Sequence, residues 1–226
     1  AELCGRERTV VANDVARVLC KHLLVQQGPV FELDLAILEP LPKRHQYLIL
    51  QILSALAGGG EYLVSNASVG RFFEFPSESR MTMGNAIVER HAAAVRVYRE
   101  KRNLAGILVT PGETAIWDGR LKIKNDSTIT YFCGPVDVAR MNELEKRSGE
   151  RIPVRPRAAL GGTPFLNGDG DDMFLPFVKG FSVPSGLSLS ILCPAIENFC
   201  PEYDFALLDV LTLVREQLSD LVMHKF

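Results

Sequence analysis

The stretch "AIWDGRLKIKN", residues 115–125, decides how this chain is read. Asp118-Gly119 is a preferred two-residue hairpin turn, because both central positions need positive φ. Beyond the turn, Arg120, Lys122 and Lys124 alternate with Leu121 and Ile123. Side chains along a strand alternate between faces, so three cations are predicted on one side and two aliphatic residues on the other. Such a row either contacts a polyanion or is solvated, and charge alone favours solvation.

Working outward, the text on either side of the hairpin is short, β-branched and aromatic: "AIVER", "AVRVYRE", "ETAIWDG", "RLKIK" and "STITYFCG" are predicted strands. Before about residue 84 the period is helical. Val11, Val15, Val18, His22 and Val25 predict one helix over 6–27, closed by Gly28-Pro29. "ELDLAILEPLP" is a connector with a helical turn capped by Asp34. Pro42 opens a second helix, whose stripe is Leu48, Ile52 and Leu56 and whose stop is Gly58-Gly59-Gly60. Residues 66–75 fit a helix or a strand; capping by Asn66 and a stop at Pro76 favour the helix.

Downstream, "VDVARMNELEKRSG" predicts a helix ending at Gly149, "PFLNGDGDDMFLPF" two strands around a turn, "LSLSILCPAI" a strand and "YDFALLDVLTLVREQLSDLV" a closing helix. The fold class is α+β: a helical subdomain over residues 1–84, then a mixed, mainly antiparallel region over 85–226, with 135–226 a candidate separate lobe.

Composition is that of an ordinary globular chain, with 226 residues, 47% hydrophobic and a net charge of −2. The charge is unevenly placed. Residues 71–157 carry sixteen Lys/Arg against eleven Asp/Glu, whereas residues 158–226 carry three against nine. A protein coated uniformly for nucleic acid is excluded, but a local basic footprint is not. Five cysteines, none spaced CxxC, argue against a disulfide or zinc framework and fit a reducing cytoplasm. No apolar run reaches membrane-spanning length, so no membrane partner is expected.

Motifs for chemistry fail one by one. The four histidines are isolated. "GLSLS" at 186–190 ends in Ser190 where a nucleophile elbow needs glycine. In "NGDGDD", counted from Asn167, Asp172 stands where a calcium loop needs glycine and Val178 where it needs Glu. "LAGGGEYL" and "LGGTPF" lack the Lys-Ser/Thr of a phosphate-binding loop. No catalytic, cofactor-binding or metal-ligating residue is expected in this chain.

"MTMGNAIVER" (81–90), "VRVYRE" (95–100) and "PGETAIWDGRLKI" (111–123), in that order, resemble the C-terminal part of tRNA(Ile)-lysidine synthases. In that family a Thr-Leu-Gly-Gly-like strand precedes a strand ending in Arg-Glu, and a Trp-Asp-Gly-Arg hairpin comes next. "IPVRPRAALGGTPFLNGDGDDMFLPF" (152–177) is similar to the family's end, and the two N-terminal helices to the region after its catalytic domain. The resemblance covers most of residues 6–205. Asn85 departs from it, standing where a second glycine is usual, and the closing segment from Tyr203 is longer and more helical than the family leads one to expect.

The resemblance implies a tRNA-modifying ligase that adenylates the wobble cytidine of isoleucine tRNA with ATP and joins lysine to it. The family's catalytic Ser-Gly-Gly-x-Asp-Ser loop lies in an N-terminal ATP-pyrophosphatase domain, which would also hold ATP and Mg; "AGGGEY" and "LGGTPF" do not match that loop. The chain is therefore expected to be the tRNA-gripping portion, an excised piece without its initiating Met. Expected partners are tRNA and the family's own catalytic domain; Phe205, Leu208, Leu211 and Leu218 imply that the closing helix packs either on the core or on a second copy in a homodimer. Arg120, Lys122, Lys124, Arg155 and Arg157, with Arg80 and Arg90, are the candidate phosphate contacts. The alternative is a non-catalytic interaction or scaffolding module whose basic stripe is merely solvated.

Overall fold

Helix α1 (Glu2–His22) buries Ala12, Val15, Ala16 and Leu19, one stripe at helical spacing. It begins before the predicted residue 6 and ends five residues short of the predicted 27. After His22 the chain turns into β1 (Leu24–Gln26), which pairs antiparallel with β2 (Val30–Asp34), Leu24 opposite Glu32 and Gln26 opposite Val30. The turn rests on Gly28, at φ 75°, whose amide donates to the Phe177 carbonyl at 3.1 Å. The computed structural model describes residues 2–74, 80–149, 151–168, 173–181, 183–198 and 205–223.

Asp34 caps α2 (Leu35–Leu38) as expected, its carboxylate accepting from the Ala36 amide at 2.8 Å. Helix α3 (Lys43–Gly58) is buried on all sides in its second half and stops at Gly59, in the left-handed conformation at φ 68°. Pro42 sits just outside it, as the N-cap. Helix α4 (Asn66–Glu74) realises the helical alternative, but Ser65, not Asn66, receives the Ser68 amide, at 3.2 Å. Pro76, its expected stop, lies outside the described residues.

Strands β3 (Arg80–Met83), β4 (Ala86–His91) and β5 (Ala94–Arg99) complete a five-stranded antiparallel sheet in the order β1-β2-β5-β4-β3. Its inner face, with Phe31, Leu33, Val88, Val95 and Val97, shares one core with α1 and α3. Its outer face buries Val30, Ile87 and Tyr98 against Val154, Leu160 and Phe165. A divide between residues 84 and 85 falls in the Gly84-Asn85 turn, where φ is positive at both positions and Met83 still pairs with Ala86.

Strands β6 (Ile107–Val109), β9 (Tyr131–Pro135), β10 (Pro164–Asn167) and β11 (Met173–Phe174) form a second sheet, in the order β11-β10-β9-β6; β7 (Thr114–Trp117), β8 (Leu121–Asn125) and β12 (Leu187–Ile191) form a third, in the order β12-β8-β7. Helix α5 (Val138–Ser148) is capped by Asp137 and ends at left-handed Gly149; a 3-10 turn covers Arg157–Gly162, and α6 covers Pro194–Glu197. Helix α7 (Ala206–Met223) returns to the start, burying Leu207, Val210, Leu211, Val214 and Leu218 in the core that holds α1. None of the described helices is long and apolar enough to cross a membrane.

Candidate functional site

The predicted hairpin forms, but its loop is three residues long, Asp118 to Arg120, so Arg120 belongs to the turn and not to the strand. Asp118 and Gly119 take φ 55° and 66°, and Trp117 faces Leu121 across the turn. The predicted row of three cations does not form. Lys122 and Lys124 point outward while Leu121, Ile123 and Asn125 are buried, but Arg120 turns inward and is only 6% exposed.

Its burial has a cause in the turn itself. The Asp118 carboxylate accepts Arg120 Nε at 2.7 Å, and Arg120 Nη2 donates to the Gly162 carbonyl at 2.9 Å. The guanidinium also lies 5.3 Å from the centre of the Trp117 ring. Arg99 joins from β5, bidentate on Asp118 at 2.8 Å for both contacts, and also donates to the carbonyls of Asn85 and Glu100. One carboxylate and several carbonyl dipoles thus hold two buried guanidinium groups. Burial pulls Arg120 down to about 10 despite Asp118, with Arg99 adding repulsion; it stays charged at neutral pH.

The glycine clusters explain why these segments meet. A Cβ on Gly58 would stand 1.7 Å from the Gly84 carbonyl oxygen, one on Gly119 2.7 Å from that of Gly59, and one on Gly162 2.5 Å from Arg99 Cβ. "AGGG", "MGN", "WDGR" and "LGG" therefore converge on one joint around Asp118, where backbones touch backbones.

Most other cations of the basic middle are neutralised. Register places Glu32, Arg96, Glu89 and Arg80 in one row across the outer face of the five-stranded sheet, an alternating ladder with Arg96–Glu32 at 2.7 Å and Arg80–Glu89 at 3.6 Å. Arg90 pairs with Glu39 at 3.0 Å and stacks over Phe72 at 5.2 Å. Arg157 binds Glu145 at 2.7 Å and the Ile152 carbonyl at 2.9 Å. Lys124 meets Asp126 at 2.7 Å, but both are about half exposed, and such pairs contribute little. Arg155 and Lys122 are exposed, with no ion-pair partner among the described residues.

The seven candidates are therefore not one patch. Lys122 and Lys124 share a sheet face, Arg155 stands apart in sequence on a loop, and Arg80, Arg90, Arg120 and Arg157 are held by carboxylates. Flanking groups that sequence reasoning missed lie beside the lysines: Ser190 pairs with Lys122 and Ser188 with Lys124 on one side, Ile116 and Thr114 on the other. The alternating "LSLSI" was the signal, but only the register brings it beside β8.

Nothing else gathers into a reactive centre among the described residues. Ser190 sits exposed on a strand and not in a strand-to-helix elbow. Asp169–Asp172 lie outside the described residues, among which no three metal-ligating side chains cluster. Cys133 and Cys193 are buried thiols, both pushed up to about 12 by desolvation. A cleft of about 710 Å³ between α1, α3, α6 and α7 is lined by Tyr47, Leu48 and Leu63 among others, and by none of the seven candidates.

The chain is similar to curated tRNA(Ile)-lysidine synthases. It is 25% identical to that of Bartonella tribocorum over 196 residues, 83% of this chain and 37% of that protein. It is 30% identical to those of Brucella ovis and Brucella abortus over 162 residues, 69% of this chain and 36% of each. The chain thus spans little more than a third of the length of the curated relatives it matches. No protein-family model matches it.

Proposed function

Because curated relatives that align with most of this chain's length are tRNA(Ile)-lysidine synthases, we propose that it is the tRNA-binding and positioning portion of such an enzyme. The parent would use ATP and Mg in a separate N-terminal catalytic domain, the chain's second partner, to join lysine to the wobble cytidine of isoleucine tRNA in the cytoplasm. No step of that reaction is assigned to residues of this chain.

The observation that carries the reading is the coincidence of resemblance and architecture. The short motifs that resemble the family are the segments that meet at the Asp118 joint, which makes them landmarks of a shared scaffold. A protein that holds tRNA at a distance from the reacting base needs shape and phosphate contacts more than base readout. The many internal ion pairs favour the second reading, an interaction module with solvated charge. Titration of the 226-residue chain with an isoleucine tRNA transcript, and with an unstructured RNA of equal length, separates the two. A tRNA-gripping chain binds in a salt-sensitive way and prefers the folded tRNA; equal affinity for both RNAs, or none for either, contradicts that role.

A further inference from the structure

Resting on that reading, we propose that the outer face of the β12-β8-β7 sheet is the surface that takes the phosphodiester backbone of the RNA. Lys122 and Lys124 are its charge contacts, and Ser188, Ser190 and Thr114 its hydroxyl donors.

Four features point to this face. First, its inner side is fixed: Trp117, Leu121, Ile123 and Ile191 are buried in the main core, so the outer side cannot turn in without unmaking it. Second, the six outward positions Thr114, Ile116, Lys122, Lys124, Ser188 and Ser190 are all exposed, and they lie in two rows across three strands. Third, the lysines are two residues apart on the middle strand, a separation of about 6.8 Å that suits successive phosphates of one backbone. Fourth, the flanking residues are small hydroxyls, which donate to phosphate oxygens without adding charge, and Ile116, which offers an apolar contact to a ribose.

The ladder on the five-stranded sheet shows the contrast. There each Arg stands opposite a Glu, and the face is self-neutralised. On the three-stranded sheet no acid stands opposite either lysine: Lys122 faces Ser190 and Ile116, and Lys124 faces Ser188 and Thr114. Asp126, two residues from Lys124 along the chain and beyond the end of β8, is exposed and readily displaced by a phosphate. A polyanion is the complementary occupant.

The test uses the full chain and an isoleucine tRNA transcript, with affinity measured across a salt series. Lys122→Glu with Lys124→Glu should weaken binding about tenfold or more at about 0.1 M salt and flatten the slope of log affinity against log salt by about two. Lys122→Arg with Lys124→Arg should keep both. Ser188→Ala with Ser190→Ala should weaken binding and leave the slope unchanged. All these positions are exposed, so the thermal midpoint serves as the folding control. If the wild type binds and the Glu variant matches it in affinity and slope, this face is not the site, while the tRNA-binding reading stands. If the wild type binds no tRNA, that reading falls and this inference falls with it.

Discussion

Asp118 grips Arg99 with both carboxylate oxygens at 2.8 Å while also accepting Arg120 Nε at 2.7 Å, so one acid is shared by two buried cations. Removing it leaves both uncompensated, and breaking such a buried pair costs about 3–5 kcal/mol. Asp118→Asn keeps the shape and suits the positive φ of 55°, so it isolates the charge. Urea unfolding should show a loss of that order; a loss below about 1 kcal/mol would mean that the joint does not depend on the carboxylate.

Gly58 makes a sharper test of the joint. It is helical, where alanine is ordinarily better by about 1 kcal/mol. A Cβ there would stand 1.7 Å from the Gly84 carbonyl oxygen, which is backbone and has little freedom to yield. Gly58→Ala should therefore destabilise by several kcal/mol, on the order of an overpacked core. Gly149→Ala, at φ 71° with nothing within 4 Å, should lose only about 1 kcal/mol. Equal losses in thermal or urea unfolding would contradict the close approach.

The thiols differ by environment. Cys20 is exposed, whereas Cys133 and Cys193 are held at about 12 by burial, against an ordinary 9.0. Alkylation of the native chain at neutral pH, mapped by mass spectrometry, should mark Cys20 and spare the other two until the chain is unfolded. The folded state keeps these two protons after the unfolded state has lost them. Stability should therefore fall as pH rises above 9. Cys133→Ala should lessen that fall, whatever it does to stability at neutral pH.

Glu145 works in the opposite direction. Burial pushes its carboxyl up, but the Arg157 guanidinium and the Ile152 amide together hold it below the ordinary 4.5. An acid with a lowered folded pKa stabilises above its unfolded value and loses that contribution as pH falls through the folded one. Stability measured from about pH 6 downward should decline less steeply in Glu145→Gln; identical slopes would contradict the linkage.

The hairpin, the strand-rich middle and the capping by Asp34 and Gly149 were legible because turn and cap chemistry is local. The β1–β2 hairpin was not. Val25 continues the helical stripe of α1, and only pairing with Phe31 in a sheet closed by β5 overrides it. Strand β6, three residues long and paired with β9 more than twenty residues on, escaped for the same reason. Strand β3 forms a local hairpin with β4 across Gly84-Asn85 and has only four residues to carry a pattern. In the candidate site, the outward pointing of Lys122 and Lys124 followed from period two, but the fate of Arg120 did not. Its position beside Asp118 at the turn, and the approach of Arg99 from β5, are properties of the assembled joint. The same holds for Arg80 and Arg96, whose neutralising partners are fixed by register alone.

Whether this chain grips tRNA through a lysine-bearing sheet face is tested most directly by amine-reactive footprinting, with and without saturating isoleucine tRNA. Lys122 and Lys124 should lose most of their reactivity in the complex and regain it when high salt releases the RNA. If both lysines remain as reactive in the complex as in the free chain, that grip is contradicted.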